Sequence, residues 1–139
     1  MKLRLLDILA CPNDKNWPLE LYIFEERKNE NIELPEKDEI SKLVCSFYCA
    51  KHKVKLVKEA AGKKSTITKK AKTIDYEKDC NECLKTEVVA GMIKCTSCNS
   101  FYPIIDEIPM MLKEELRNQD IEREFTEKWS EKIKTLLVK

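Results

Sequence analysis

The sequence predicts an α+β fold organised by short cysteine clusters, and three observations carry that prediction. Six of the seven cysteines fall in closely spaced pairs along the chain. Several apolar stretches alternate as half-buried strands do, and the last twenty or so residues place their apolar groups on one helical stripe. Taken in order, residues 2–9 set Leu5, Leu6 and Leu9 at helical spacing, and Pro12 stops the helix. Pro18 opens an alternating strand over 19–24, after which residues 25–38 are charged and irregular. Residues 36–43 predict a short helix leading into Cys45. Glu87-Val88-Val89, Ala90-Gly91 and Met92-Ile93-Lys94 predict a hairpin that feeds Cys95. A strand follows over 100–105, and Pro103, lacking an N–H, predicts either that the strand lies at a sheet edge or that the proline faces away from the ladder. In the tail, Ile121, Phe125, Trp129, Ile133 and Leu136/Leu137 share one face of a single helix over 120–137, with Asp120 as its cap.

Composition bounds the function. The 139 residues suit one domain, or a small domain carrying an insertion. With 26 basic against 25 acidic residues the net charge is +1, which argues against a tail-driven or histone-like nucleic-acid binder. Only two glycines are present, Gly62 and Gly91, so no glycine-rich phosphate loop can be written. No apolar run approaches the roughly 18 residues of a membrane span, and the N-terminus lacks a signal-peptide core, so a cytoplasmic protein is expected. Charged residues make up 37% of the chain, and the richness in Lys and Glu leans towards a thermophile composition. One segment departs from the overall balance. Residues 51–72 hold nine lysines and a single acid, Glu59, and 58–74 read as a mobile loop or a loose hairpin.

In a reducing compartment clustered cysteines point to metal rather than to disulfides, although hyperthermophile cytosol tolerates the latter. Zinc takes four sulfur or nitrogen ligands at tetrahedral corners, and a Cys-x-x-Cys turn supplies two of them. Such turns occur at Cys80–Cys83 and Cys95–Cys98, and Cys45 and Cys49 also have ligand spacing. Cys45, Cys49, Cys80 and Cys83 therefore form a first expected site. His52 could replace Cys45, but it reads better as an exposed polar residue in a lysine-rich segment. Cys95 and Cys98 would join Cys11 in a second site, whose fourth place holds Asp14 where a ribbon would carry cysteine. Two readings of that site stand side by side: a Cys3Asp metal centre, or a ribbon held by packing after loss of its metal. Either metal site would be structural, because one histidine and no carboxylate pair near the cysteines leave no general base for a catalytic ion.

The run Glu87-Val88-Val89-Ala90-Gly91-Met92-Ile93-Lys94-Cys95-Thr96-Ser97-Cys98, then Phe101-Tyr102-Pro103-Ile104 and Asp106-Glu107-Ile108-Pro109-Met110-Met111-Leu112, resembles the small zinc-ribbon activator subunit of tRNA, rRNA and release-factor methyltransferases. Leu5-Leu6-Asp7-Ile8-Leu9-Ala10-Cys11-Pro12 is similar to the start of that family, and the two segments cover about a third of the chain. The resemblance implies a zinc-ribbon-like domain made from residues 1–24 and 86–117, an inserted zinc-bearing subdomain over 25–85 with the basic loop, and a C-terminal helix over 118–139. It implies a non-catalytic protein that binds and solubilises a Rossmann-type methyltransferase as a heterodimer. S-adenosylmethionine would then sit on the partner, and tRNA or a release factor would be reached only through it. The extra cysteine set and the basic loop resemble an archaeal elaboration.

The partner surface is expected at Leu5, Leu9, Ile104, Ile108, Met110 and Met111, beside an unpaired edge of the 100–105 strand. Lys63, Lys64, Lys69 and Lys70 are the candidates for RNA contact. The rival expectations are a stand-alone RNA-binding zinc ribbon, against which the absence of stacking aromatics in the basic segment counts, and a thiol redox protein, which no βαβ pattern supports.

Overall fold

The computed structural model of the chain describes residues 1–58 and 66–137. Lys63 and Lys64 fall outside the described residues. The fold is α+β, with mixed short helices and antiparallel strands, and it divides into two compact units. One comprises Met1, Cys11–Glu26 and Val88–Lys139; the other comprises Lys2–Ala10 and Arg27–Glu87.

The first unit is built on a four-stranded sheet in the order β1 (Glu20–Lys28), β6 (Thr86–Lys94), β7 (Phe101–Ile105), β8 (Ile108–Pro109). β6 and β7 are antiparallel, with Gly91 opposite Ile104 and Ile93 opposite Tyr102. The expected hairpin at Ala90-Gly91 is instead one unbroken strand. Gly91 is there because the neighbouring backbone comes close: a Cβ at this position would lie 2.6 Å from the Tyr22 carbonyl oxygen. Of the two expectations for β7, the sheet-edge one does not hold. β7 is an inner strand, and Pro103 is tolerated because what its backbone must supply towards β8 is a carbonyl, which accepts the Met110 N–H at 2.9 Å. The sheet edges are β1 and β8. β7 and β8 are joined by Asp106 and Glu107, both left-handed at φ 48° and 70°, as a two-residue hairpin loop that follows strand twist requires.

The tail packs on this sheet. Phe24, Ala90, Met92 and Phe125 form a buried cluster, against which Trp129, Ile133 and Leu136 lie. The Phe24 ring stands 6.0 Å from Phe125 and 5.4 Å from Trp129, centroid to centroid. The stripe holds from Phe125 onward, but the helix is broken in two, α2 (Gln119–Lys128) and α3 (Ser130–Leu137), with Trp129 at the break. The cap is Asn118, not Asp120. Its side-chain oxygen accepts the N–H groups of Asp120 and Ile121 at 3.0 and 3.3 Å, leaving Asp120 in the first turn to pair with Arg123.

In the second unit the expected N-terminal helix is a 3₁₀ turn, Leu3–Asp7. Two small hairpins follow, β2 (Tyr48–Cys49) with β3 (Val54–Lys55), and β4 (Val57–Lys58) with β5 (Thr66–Ile67). Of the 58–74 segment expected as a loop or loose hairpin, residues 59–65 lie outside the described residues. A π-helical turn, Tyr76–Cys80, runs into α1 (Asn81–Lys85). Residues 36–43 are turns and bends rather than a helix. The Asp38 carboxylate accepts the amides of Ile40 and Ser41 at 2.9 Å each, offering the backbone a local alternative to helical bonding. The core of this unit gathers Leu43, Cys45, Leu56 and Ala71, with Cys49, Ile74, Tyr76 and Cys80 packed around them.

Candidate metal centre

Cys11 and Cys95 each begin a turn of the same construction. The Cys11 N–H donates to the carbonyl five residues on, Asn16, at 3.0 Å; the Cys95 N–H does the same to Ser100 at 2.9 Å. Four residues after each cysteine the backbone is left-handed, at Lys15 (φ 62°) and at Asn99 (φ 59°). Asn99 suits that conformation, whereas a lysine there is held by the surrounding structure. The residue three after each cysteine completes the turn, and in these equivalent places stand Asp14 and Cys98. The two turns are laced together: Asn13 Nδ2 donates to Ser100 Oγ at 2.9 Å, and Asn16 Nδ2 donates to Thr96 Oγ1 at 3.3 Å.

The lacing brings the Cys11, Cys95 and Cys98 sulfurs and an Asp14 oxygen within 4.8 Å of one another. Cys11 Sγ lies 3.6 Å from Cys98 Sγ, and Cys95 Sγ lies 3.5 Å from Asp14 Oδ1. Two sulfurs each about 2.3 Å from a shared tetrahedral ion sit about 3.8 Å apart, and a sulfur–oxygen pair about 3.5 Å apart, so these two pairs are spaced as an ion requires. The quartet can hold a metal ion, and Asp14 takes the place of the fourth cysteine.

The electrostatics of the four donors differ. Asp14 is held well below the usual carboxylate range, first by the Asn16 amide and then by the Ser97 hydroxyl, so it is an anionic oxygen donor at neutral pH. The Ser100 hydroxyl and amide lower the Cys98 thiol, while burial raises that of Cys11. Around the donors, Tyr102 Oη lies 3.0 Å from Cys11 Sγ and Asn16 Nδ2 donates to Cys95 Sγ at 3.5 Å, contacts of the kind that orient ligands and tune a metal. Arg117 stacks 4.8 Å above the Tyr102 ring.

Among the described residues the terminal quartet alone has ligand atoms this close. The other four cysteines, Cys45, Cys49, Cys80 and Cys83, line one cavity of the second unit, at wider spacing. His52 turns its Nε2 to Asp79, 3.3 Å from Oδ2.

Of the expected partner residues, Ile108 is 61% exposed and Met110 and Met111 are half-buried, as are Leu5 and Leu9. Ile104 is fully buried and belongs to the core of the sheet, which removes it from any surface. Lys69 and Lys70 are exposed.

Sequence reasoning missed Asp7. Its buried carboxylate accepts the amides of Ser46, Phe47 and Tyr48 at 2.8, 2.7 and 2.6 Å, fixing the segment between Cys45 and Cys49. Nothing in the sequence links residues so far apart. The matched spacing of Cys11–Lys15 and Cys95–Asn99, in contrast, was there to be read.

The sheet and its paired turns define the class, a ribbon-type protein with metal-binding knuckles drawn from distant parts of the chain. The family model for Trm112p-like protein matches residues 2–107, and the chain belongs to that family. No curated protein matches it. None of the described helices is long and apolar enough to cross a membrane.

Proposed function

We propose that the chain is a non-catalytic, cytoplasmic subunit that binds, stabilises and activates an S-adenosylmethionine-dependent methyltransferase of Rossmann type acting on tRNA or a translation factor. What carries the reading is family membership over the stretch that contains both knuckles. Zinc is the metal proposed for Cys11, Asp14, Cys95 and Cys98, because three thiolates and a carboxylate at tetrahedral spacing suit it. Four protein ligands close such a centre, so its part is to hold the ribbon together.

The proposed contact surface is the β8 edge rather than β7. After the left-handed Asp106-Glu107 loop the chain presents Ile108, ends the strand at Pro109, and continues through Met110 and Met111 to Leu112. Ile108 and Leu112 are exposed at 61% and 38%, apolar area that a partner strand and its side chains would cover. Leu5 and Leu9 belong to the other unit and are proposed separately as partner contacts.

The test is affinity capture with the tagged full chain, followed by mass spectrometry and a tRNA-binding titration of the captured complex. The reading expects a methyltransferase in equimolar amount. With Lys69→Glu and Lys70→Glu in the bait, the enzyme stays bound while tRNA affinity falls and its salt dependence flattens, if these exposed lysines reach RNA. Capture of RNA without a methyltransferase would contradict the reading.

A further inference from the structure

The cavity lined by Cys45, Cys49, Cys80 and Cys83 has features of a metal site that the terminal centre does not absorb. The first is a third knuckle. The amides of Lys51 and His52 point at Cys49 Sγ, two and three residues on, just as those of Asn13 and Asp14 point at Cys11 Sγ. Four residues after Cys49 the backbone is left-handed, at Lys53 (φ 53°), repeating Lys15 and Asn99. Five residues after it Val54 pairs with Cys49 across the β2–β3 hairpin, as Asn16 and Ser100 do with their own cysteines. Donors aimed at a sulfur are contacts of the kind that orient and tune a metal ligand.

The second feature is a helical pair. Cys80 ends the π turn and Cys83 lies inside α1, three residues apart and so on one face of the same helical stretch. A knuckle and a helical Cys-x-x-Cys thus converge on one cavity, and Cys45, in the apolar cluster with Leu43 and Leu56, closes it from the third side. The four sulfurs line one cavity, wider apart than the terminal quartet, and offer a soft cation its donors. His52 occupies the position of a second knuckle ligand, but its contact is to Asp79.

We propose that Cys45, Cys49, Cys80 and Cys83 bind a second zinc ion as a closed tetrathiolate centre that staples the second unit. Thiolates select a soft ion over magnesium or calcium, and four of them leave no open position, so the ion is structural. The inference stands apart from the methyltransferase reading, because it concerns metal content and thiol accessibility alone.

Native mass spectrometry of the purified full chain, joined to iodoacetamide mapping before and after a chelator, tests it on the unmodified protein. Two zinc ions per chain are expected, with all seven thiols protected until the metal is stripped. The variant Cys80→Ser/Cys83→Ser should keep one zinc and the protection of Cys11, Cys95 and Cys98. His52→Ala should keep two. The proposal is overturned by a wild-type chain with one zinc whose Cys45, Cys49, Cys80 and Cys83 are all alkylated or disulfide-bonded. Iron with acid-labile sulfide would overturn the identity of the ion. Loss of one zinc in His52→Ala together with its retention in Cys45→Ser would overturn the four-cysteine assignment.

Discussion

Asp14 stands where the geometry of its turn calls for a cysteine, and the consequences can be measured. It is the one oxygen donor of the terminal quartet, and the Asn16 amide and the Ser97 hydroxyl hold its carboxyl well below the usual carboxylate range. Asp14→Ala should weaken metal binding by roughly 100-fold or more, since even outer contacts of a metal site are worth 10- to 100-fold. Asp14→Cys should tighten it. Chelator competition on the two variants reads both, and equal affinity in all three proteins would remove Asp14 from the ligand set. Asp7 is the second residue to act beyond what the sequence reveals. Its carboxylate is the acceptor for three amides, and Asp7→Ala should destabilise the second unit by about 1–3 kcal/mol, the usual cost of leaving buried donors unsatisfied. Faster hydrogen exchange at Ser46, Phe47 and Tyr48 would show it, and unchanged exchange would mean that water replaces the carboxylate. Cysteine spacing was legible because chelation is local in sequence; Asp7 was not, because its partners lie some forty residues on.

At the scale of the elements, Gly91 shows how one residue can be misread. A glycine after alanine between two apolar triplets has the pattern of a turn, yet it sits mid-strand because Tyr22 of the neighbouring strand passes so close. A methyl group there meets backbone rather than a movable side chain. Gly91→Ala should therefore cost about 1–3 kcal/mol, the range of overpacking, seen as a lowered urea midpoint with unchanged slope. An unaltered midpoint would mean that β1 shifts freely. The apolar stripe expected from Ile121 to Leu136/Leu137 holds from Phe125 to Leu136, because amphipathic periodicity survives a break in the helix, while Ile121 is exposed. The break at Trp129 and the Asn118 cap were not foreseen, since Asp120 fits a cap equally well in sequence and only the backbone geometry chooses between them. Likewise Pro103 correctly marked a strand with one donor missing. It could not say that a two-residue strand would cover that side.

At the scale of the molecule, the α+β class and the cysteine-built ribbon were legible, because both rest on spacing and alternation. The surface was legible only in part. The run from Ile104 to Met111 is apolar throughout, and burial alone separates Ile104, which holds the sheet together, from Ile108, which faces outward. That separation gives the account its most direct test, the amount of soluble, active methyltransferase recovered when the captured enzyme is co-expressed with this chain or with its Ile108→Asp/Met110→Asp variant. Two carboxylates placed in an interface core should lower binding by several kcal/mol, so the wild-type chain should yield soluble, active enzyme and the variant little of either. The variant chain, purified alone, should keep its fold and its metal. Equal recovery of active enzyme with both chains would contradict the account, because the partner would then be held somewhere other than the β8 edge.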